Sequence, residues 1–237
     1  MRYILALDTA GPAAGVALLD LGTGAPAAGG ERLFVRTDPL PTGHAERLMG
    51  LITAVLDEAG IAPAAIDRLA VTTGPGSFTG VRIALATARG LALALGRPAI
   101  GIGVLELIAT ATRAAHPGLP VVAVLDARRE ALYLQPFGAD GSALAPPAAA
   151  DLAAAADHVP EGAVLAGSGA ALLAAQLAAA GRVPAVVEPE RSADPGLLAR
   201  LAATREPAAN PPEPLYLRAP DARPQPRQAG LLADPAG

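Results

Sequence analysis

Apolar and polar positions alternate between two periods along this chain, and the switches between them predict its elements. Tyr3 to Leu7 is a short apolar run ending in Asp8-Thr9, the pattern of a buried strand entering a turn. Gly15 to Leu19 and Glu31 to Arg36 predict two more strands in an antiparallel meander. From His44 to Ala59 the period lengthens: Leu48, Leu51, Ile52, Val55 and Leu56 recur at helical spacing, and Gly60 stops the helix. Leu69 to Thr73 predicts a strand running into Gly74-Pro75-Gly76-Ser77-Phe78-Thr79-Gly80, followed by a helix from about Thr79 to Leu95 ending at Gly96. Ala99 to Ile102 predicts a strand and Val104 to Ala115 a helix, so the first half reads β-β-β-α-β-α-β-α, a mixed sheet covered by helices.

The pattern then starts again. Val121 to Leu125 ends in Asp126 as the first strand ends in Asp8, Ala131 to Phe137 is strand-like, and Val164 to Ala166 enters Gly167-Ser168-Gly169 and a helix. Two halves on one plan signal a duplication. Asp8 and Asp126 stand 118 positions apart but Gly74 and Gly167 only 93, so the second half is 25 residues shorter between its aspartate and its glycine turn. Where the first half has the helix His44 to Ala59, the second has a short alanine-rich stretch near Asp151 to Asp157. The division expected is a first lobe over 1–103, a shortened second lobe over 104–214, and a Pro- and Arg-rich tail over 215–237. Leu215-Tyr216-Leu217-Arg218 is expected to pin the tail to the body, leaving the last dozen residues mobile.

Composition narrows the chemistry. Only 3% of residues are aromatic, so the core must be built from Leu, Val, Ile and Ala. The chain has no lysine and no cysteine, which removes lysine bases, P-loop and Schiff-base lysines, thiol nucleophiles, disulfides and thiolate metal sites. A formal net charge of −4 advertises no broad basic surface, so any RNA chemistry would draw most of its RNA contacts from a partner. Arg218, Arg223 and Arg227 make only a small basic tail, expected to be a solvated terminus. The apolar run Ile83 to Leu95, interrupted by Arg89, is too short for a bilayer, and with no signal pattern at the start the expectation is a soluble cytoplasmic protein without a membrane partner.

The candidate phosphate-binding positions are Asp8, Thr9, Gly74, Gly76, Ser77 and Asp126. An aspartate at a strand end orients a metal-bound phosphate in phosphotransferases of this architecture, and glycines let a backbone approach a ligand. The same residues also serve as plain turn caps, and Val81-Arg82 stands where a P-loop carries Lys-Ser/Thr. His44, His116 and His158 are isolated from one another, so no histidine metal site is expected. Ser77 and Ser168 lack the G-x-S-x-G setting of a serine nucleophile, and Asp57-Glu58 reads as a solvated helix face. The helix after the glycine turn is apolar on more than one side: Val81, Ala84, Leu85, Ala88, Leu91, Ala92 and Leu95 form one stripe, while Ala86, Gly90 and Leu93 extend it around the rest. A second polypeptide is therefore expected on Leu48, Leu51, Ile52 and Val55 of the first helix and on Val81, Arg82, Leu85, Ala88, Arg89 and Ala92 of the second. On that expectation Ala88→Arg breaks association and spares the fold.

Ile4-Leu5-Ala6-Leu7-Asp8-Thr9, Gly43-His44-Ala45-Glu46, Thr73 to Arg82, Val124-Leu125-Asp126-Ala127-Arg128 and Pro214-Leu215-Tyr216-Leu217-Arg218 together resemble the bacterial TsaB family of tRNA threonylcarbamoyladenosine biosynthesis proteins. The resemblance covers nearly the whole chain and is strongest in the first half. It implies a duplicated ribonuclease-H-like, actin-like ATPase fold (the sugar kinase–Hsp70–actin type) in two lobes. It also implies a non-catalytic subunit, with no catalytic residue and no cofactor of its own, that pairs with a catalytic paralogue, TsaD, through first-lobe helices. An ATPase, TsaE, is a further implied partner; self-association, tRNA bound through the complex, and ATP or ADP in the complex complete the picture. The paralogue places two histidines four apart on its first helix as metal ligands; here His44 is followed at that offset by Leu48. The superfamily's M22-type metallopeptidase label, or a residual phosphotransferase or ATPase activity, is the alternative.

Overall fold

The structure, a computed structural model, describes residues 1–22, 30–39 and 44–218. Five strands build the first sheet: β1 (Tyr3–Asp8), β2 (Ala13–Asp20), β3 (Arg32–Pro39), β4 (Arg68–Thr72) and β5 (Ala99–Ile102), in the order β3-β2-β1-β4-β5. A second sheet comprises β6 (Val121–Asp126), β7 (Ala131–Phe137), β8 (Ala148–Asp151), β9 (Val164–Ala166) and β10 (Val186–Glu188). Read as β8-β7-β6-β9-β10, its order repeats the first. The senses repeat as well. β1 pairs antiparallel with β2 and parallel with β4, as β6 pairs antiparallel with β7 and parallel with β9. The duplication read from the two aspartates and two glycine turns is thus a duplication of sheet topology.

The helices are α1 (His44–Ala59), α2 (Phe78–Leu95), α3 (Val104–Ala115), α4 (Leu152–Asp157), α5 (Ala170–Ala179) and α6 (Pro195–Thr204). The first sheet is buried on both faces, so its central strand is apolar at every position before Asp8. Tyr3, Leu5 and Leu7 face a core shared with α1, α2, α3 and the inner face of the second sheet, while Ile4 and Ala6 face α6. α4 and α5 cover the outer face of the second sheet. The chain's last described helix, α6, crosses back to pack on the first sheet, where Arg68 caps it by donating to the carbonyls of Ala202 and Arg205 at 2.6 Å. Arg205 in turn pairs with Glu106 of α3.

α6, β8 and β10 have no counterpart in the elements that the sequence predicts. β8 and β10 are too short, at four and three residues, to show a period. α6 has a legible start: Asp194 accepts from the amides of Gly196 and Leu197, and Pro195 stands in the first turn.

One ion cluster locks the start of the first sheet. Asp20 is 1% exposed, and its carboxylate accepts from Arg2 Nε at 2.9 Å, an Arg32 guanidinium nitrogen at 2.7 Å and the Gly22 amide at 2.9 Å. The hydrogen bond from Arg2, aided by Arg32 and the Gly22 amide, holds its pKa far below the usual carboxylate range against the opposing effect of burial. The folded pKa lies below the unfolded value of about 3.9, so protons bind the unfolded chain first. The stabilisation is therefore fully present above about pH 4 to 5 and is lost as pH falls from there. Asp20→Asn should lower the melting temperature at pH 7, with the gap to wild type narrowing toward about pH 3; a gap independent of pH contradicts this.

Candidate partner interface and the glycine turn

Between β4 and α2 the chain makes its tightest backbone approach. A Cβ at Gly76 would collide with the carbonyl of Ala10, and one at Gly80 with the carbonyl of Thr9. Only glycine lets α2 begin directly against the turn after β1. Hydrogen bonds fix the contact: the Thr9 hydroxyl donates to the Gly80 carbonyl at 2.5 Å, and the Ser77 amide donates to the Ala10 carbonyl at 2.8 Å. Ser77 is also the N-cap, its hydroxyl accepting from the Gly80 amide at 3.2 Å while its carbonyl accepts from Val81. The Ser77, Gly80 and Val81 amides are thus committed to the protein's own oxygens.

Asp8 and Asp126 also carry internal hydrogen bonds. Buried Asp8 accepts from the Thr72 hydroxyl at 2.7 Å and from the Ala10 amide at 3.0 Å. Asp126 is exposed, and its carboxylate accepts the Arg128 amide at 2.7 Å, while its own amide donates to Ser168. Gly74 holds φ +96°, and the C-terminal strap lies on it, with the Leu215 amide donating to the Thr73 carbonyl at 2.8 Å. A cavity of about 490 Å³ opens beside this strap, lined by Gly74, Pro75, Gly103, Glu106, Gln135 and Leu215 among others. Gly74 alone of the candidate phosphate positions reaches it. The described residues hold no cluster of three or more His, Asp or Glu able to bind a metal.

The expected partner face needs a correction. Leu48, Ile52, Val55, Val81, Leu85 and Ala88 are all buried in the shared core, at 0 to 4% exposure. Leu51, Arg89 and Ala92 are half-buried, and Arg82 alone of that set is exposed. These positions are the inward stripe of two core helices, and Ala88→Arg would drive a charge into the core rather than disturb an interface. The anchoring of Gly76 and Gly80 rotates α2 so that its second apolar stripe faces out: Ala86, Gly90 and Leu93 are exposed, Leu93 at 87%. On α1 the outward residues include Met49, 50% exposed, with Gly50 and Thr53. The signal for this face was present in the sequence, as the continuation of apolar character around α2. α2 is also long and apolar enough to cross a membrane, yet its other side is core and packs on β4, β1 and β5. His44 begins α1, but its side chain lies outside the described set, as do Gly43, Arg223 and Arg227.

Residues 41–186 match the family described as TsaD, tRNA N6-adenosine threonylcarbamoyltransferase. The chain belongs to this family, as a TsaB-like member. It is 34% identical over 137 residues to the tRNA threonylcarbamoyladenosine biosynthesis protein TsaB of Escherichia coli, an alignment covering 58% of this chain and 55% of that protein. An uncharacterized protein of Mycobacterium tuberculosis matches nearly end to end, 38% identical over 224 residues, 93% of this chain and 94% of the relative. Among solved structures, a Pseudomonas aeruginosa protein with similarity to the peptidase YeaZ superposes with a TM-score of 0.74 at 29% identity, over 92% of this chain and all of that one. The two-sheet architecture is the actin-like fold of these TsaB-like neighbours.

The glycine contacts are testable against an internal control. Gly80→Ala and Gly76→Ala should each lower stability by about 1–3 kcal/mol or more, because rigid carbonyls block the added methyl. Gly90→Ala meets no atom within 4 Å and should instead raise stability by up to about 1 kcal/mol. Denaturant melts of the three variants check this; similar effects at Gly80 and Gly90 contradict it.

Proposed function

We propose that this chain is the non-catalytic partner subunit of the machinery that forms N6-threonylcarbamoyladenosine in tRNA, and that it binds and activates the catalytic subunit TsaD through the outward side of α1 and α2. The observation that carries this reading is Leu93, 87% exposed on a helix whose opposite side is core, with small Ala86 and Gly90 beside it. A smooth apolar strip on a long rigid helix suits close helix-to-helix packing, and leaving it in water forgoes favourable burial. Membership of the TsaD family and the likeness to TsaB support the pathway.

On this reading the protein works in the cytoplasm. TsaE is a further partner, tRNA is engaged through the complex, and the same strip serves self-association. ATP or ADP belongs to the assembled complex, where the partner contributes the groups that this chain has committed internally. The alternative, a residual phosphotransferase, ATPase or M22-type metallopeptidase, has less support. The Asp8 carboxylate already accepts from Thr72 and the Ala10 amide, and the Ser77 amide donates to the Ala10 carbonyl.

Gly90→Arg separates the strip from the fold. A side chain there has open space around it, so the monomer should melt no lower than wild type. In gel filtration at micromolar concentration, wild type should co-elute with TsaD and the variant should run apart. Undiminished co-elution of Gly90→Arg places the interface elsewhere.

A further inference from the structure

The strap that follows α6 is held along α2. Arg89 Nε donates to the Pro212 carbonyl at 3.0 Å, and Arg82 Nε donates to the Tyr216 hydroxyl at 2.7 Å. Seven helical residues span about 10.5 Å and four extended ones about 12 Å, so the strap runs beside the helix in the opposite direction. Pro211, Pro212 and Pro214 favour that extended form. Gly101 lets the strap seat on β5, since a Cβ there would stand only 2.7 Å from Pro212. At the helix start the Phe78 and Tyr216 rings close the contact, with centroids 5.5 Å apart.

Beyond Arg89 the helix and the strap part. Between them lies a groove of about 470 Å³, lined by Ala92, Leu93, Ala99 and Ala209 with the cations Arg89 and Arg97, among others. Leu93 and Ala209 are exposed on either side of it. No carboxylate lines the groove, and α2 carries no acidic residue from end to end. Arg89 is committed to the strap, whereas Arg97 is exposed. Asp67 lies within electrostatic reach of Arg97, but its carboxylate accepts the amides of Arg2 and Tyr3 at 2.6 and 3.1 Å. Glu206 and Glu213 of the strap are exposed and outside this lining. Leu93 belongs both to the groove and to the Ala86–Leu93 strip, so the two surfaces are continuous.

We infer that this groove is the end pocket of the partner face. A helix of TsaD lying along Ala86, Gly90 and Leu93 seats a large apolar side chain between Leu93 and Ala209 and sets a carboxylate against Arg97. Small apolar walls leave room for an anchor that this chain does not itself supply, and interface energy concentrates in such filled pockets. An exposed cation beside a helix without acids selects a partner that brings the acid. A second copy laid α2 on α2 would bring only arginines to Arg97, which disfavours it as the occupant. The strap is then one wall of the interface, and Arg89 fixes that wall against α2. The inference rests on the reading of α1 and α2 as the TsaD face and adds the strap and the acidic, apolar character of the helix that lands there.

The test is calorimetric titration of the full chain with TsaD at low and high salt, with sedimentation of the chain alone to follow self-association. Ala209→Trp fills the groove and should weaken TsaD binding about tenfold or more. Arg97→Glu should weaken it about tenfold at low salt and remove the loss of affinity that wild type shows as salt rises, while Arg97→Lys should stay near wild type. Both positions are exposed, and melting temperatures establish that each variant is folded. Wild-type affinity in folded Ala209→Trp and Arg97→Glu overturns the inference, and it leaves the α2 strip standing as the interface where Gly90→Arg still separates the proteins. Variants that change self-association but not TsaD affinity overturn it by assigning the groove to a second copy. Wild type that does not bind TsaD at all takes down the partner reading, and the groove's occupant with it.

Discussion

The structure turns on one close approach, that of Gly76 and Gly80 to the carbonyls of Ala10 and Thr9. It commits the Ser77 amide to the Ala10 carbonyl and sets the Gly80 amide on the Ser77 hydroxyl, so both are bonded within the protein. It also sets the azimuth of α2. With the helix start pinned to the β1 turn, Val81, Ala84, Leu85 and Ala88 must enter the core, and Ala86, Gly90 and Leu93 must face water. The outward apolar strip and the internally bonded glycine turn are two results of one packing contact.

Duplication gives the molecule its frame, and asymmetry between the halves gives it its character. The second sheet repeats the order and senses of the first. It lacks an equivalent of α1, keeping only the six residues of α4 at the corresponding place. The first half therefore presents two long helices side by side, each with an outward face, and the second half has no matching pair. α6 and the strap that follows it then bind the halves together, through Arg205 with Glu106, Leu215 with Thr73, and Arg218 with Ala127.

Much of this was legible in the chain. Strands with both faces buried read as continuous apolar runs, the helices read from their period, and the family read from the glycine turn and its flanks. The orientation of α2 was not legible, because a helix apolar on several sides has no periodic signal for which side is core. What decides it is a contact between residues about 70 positions apart, Thr9 with Gly80. The phosphate positions were ambiguous for a related reason. Asp8 and Asp126 have the residue types of both a ligand site and a turn cap, and only the positions of Thr72, Ala10 and Arg128 show which groups hold them.

Hydrogen–deuterium exchange of the chain, alone and with TsaD, tests the central claim most directly. Because α2 carries its core on one side and the proposed partner face on the other, exchange should slow in peptides from Met49 to Ala59 and from Phe78 to Leu95, and stay unchanged over Leu152 to Ala179. Slowing confined to the second sheet and its helices, with α2 unaltered, would contradict the account.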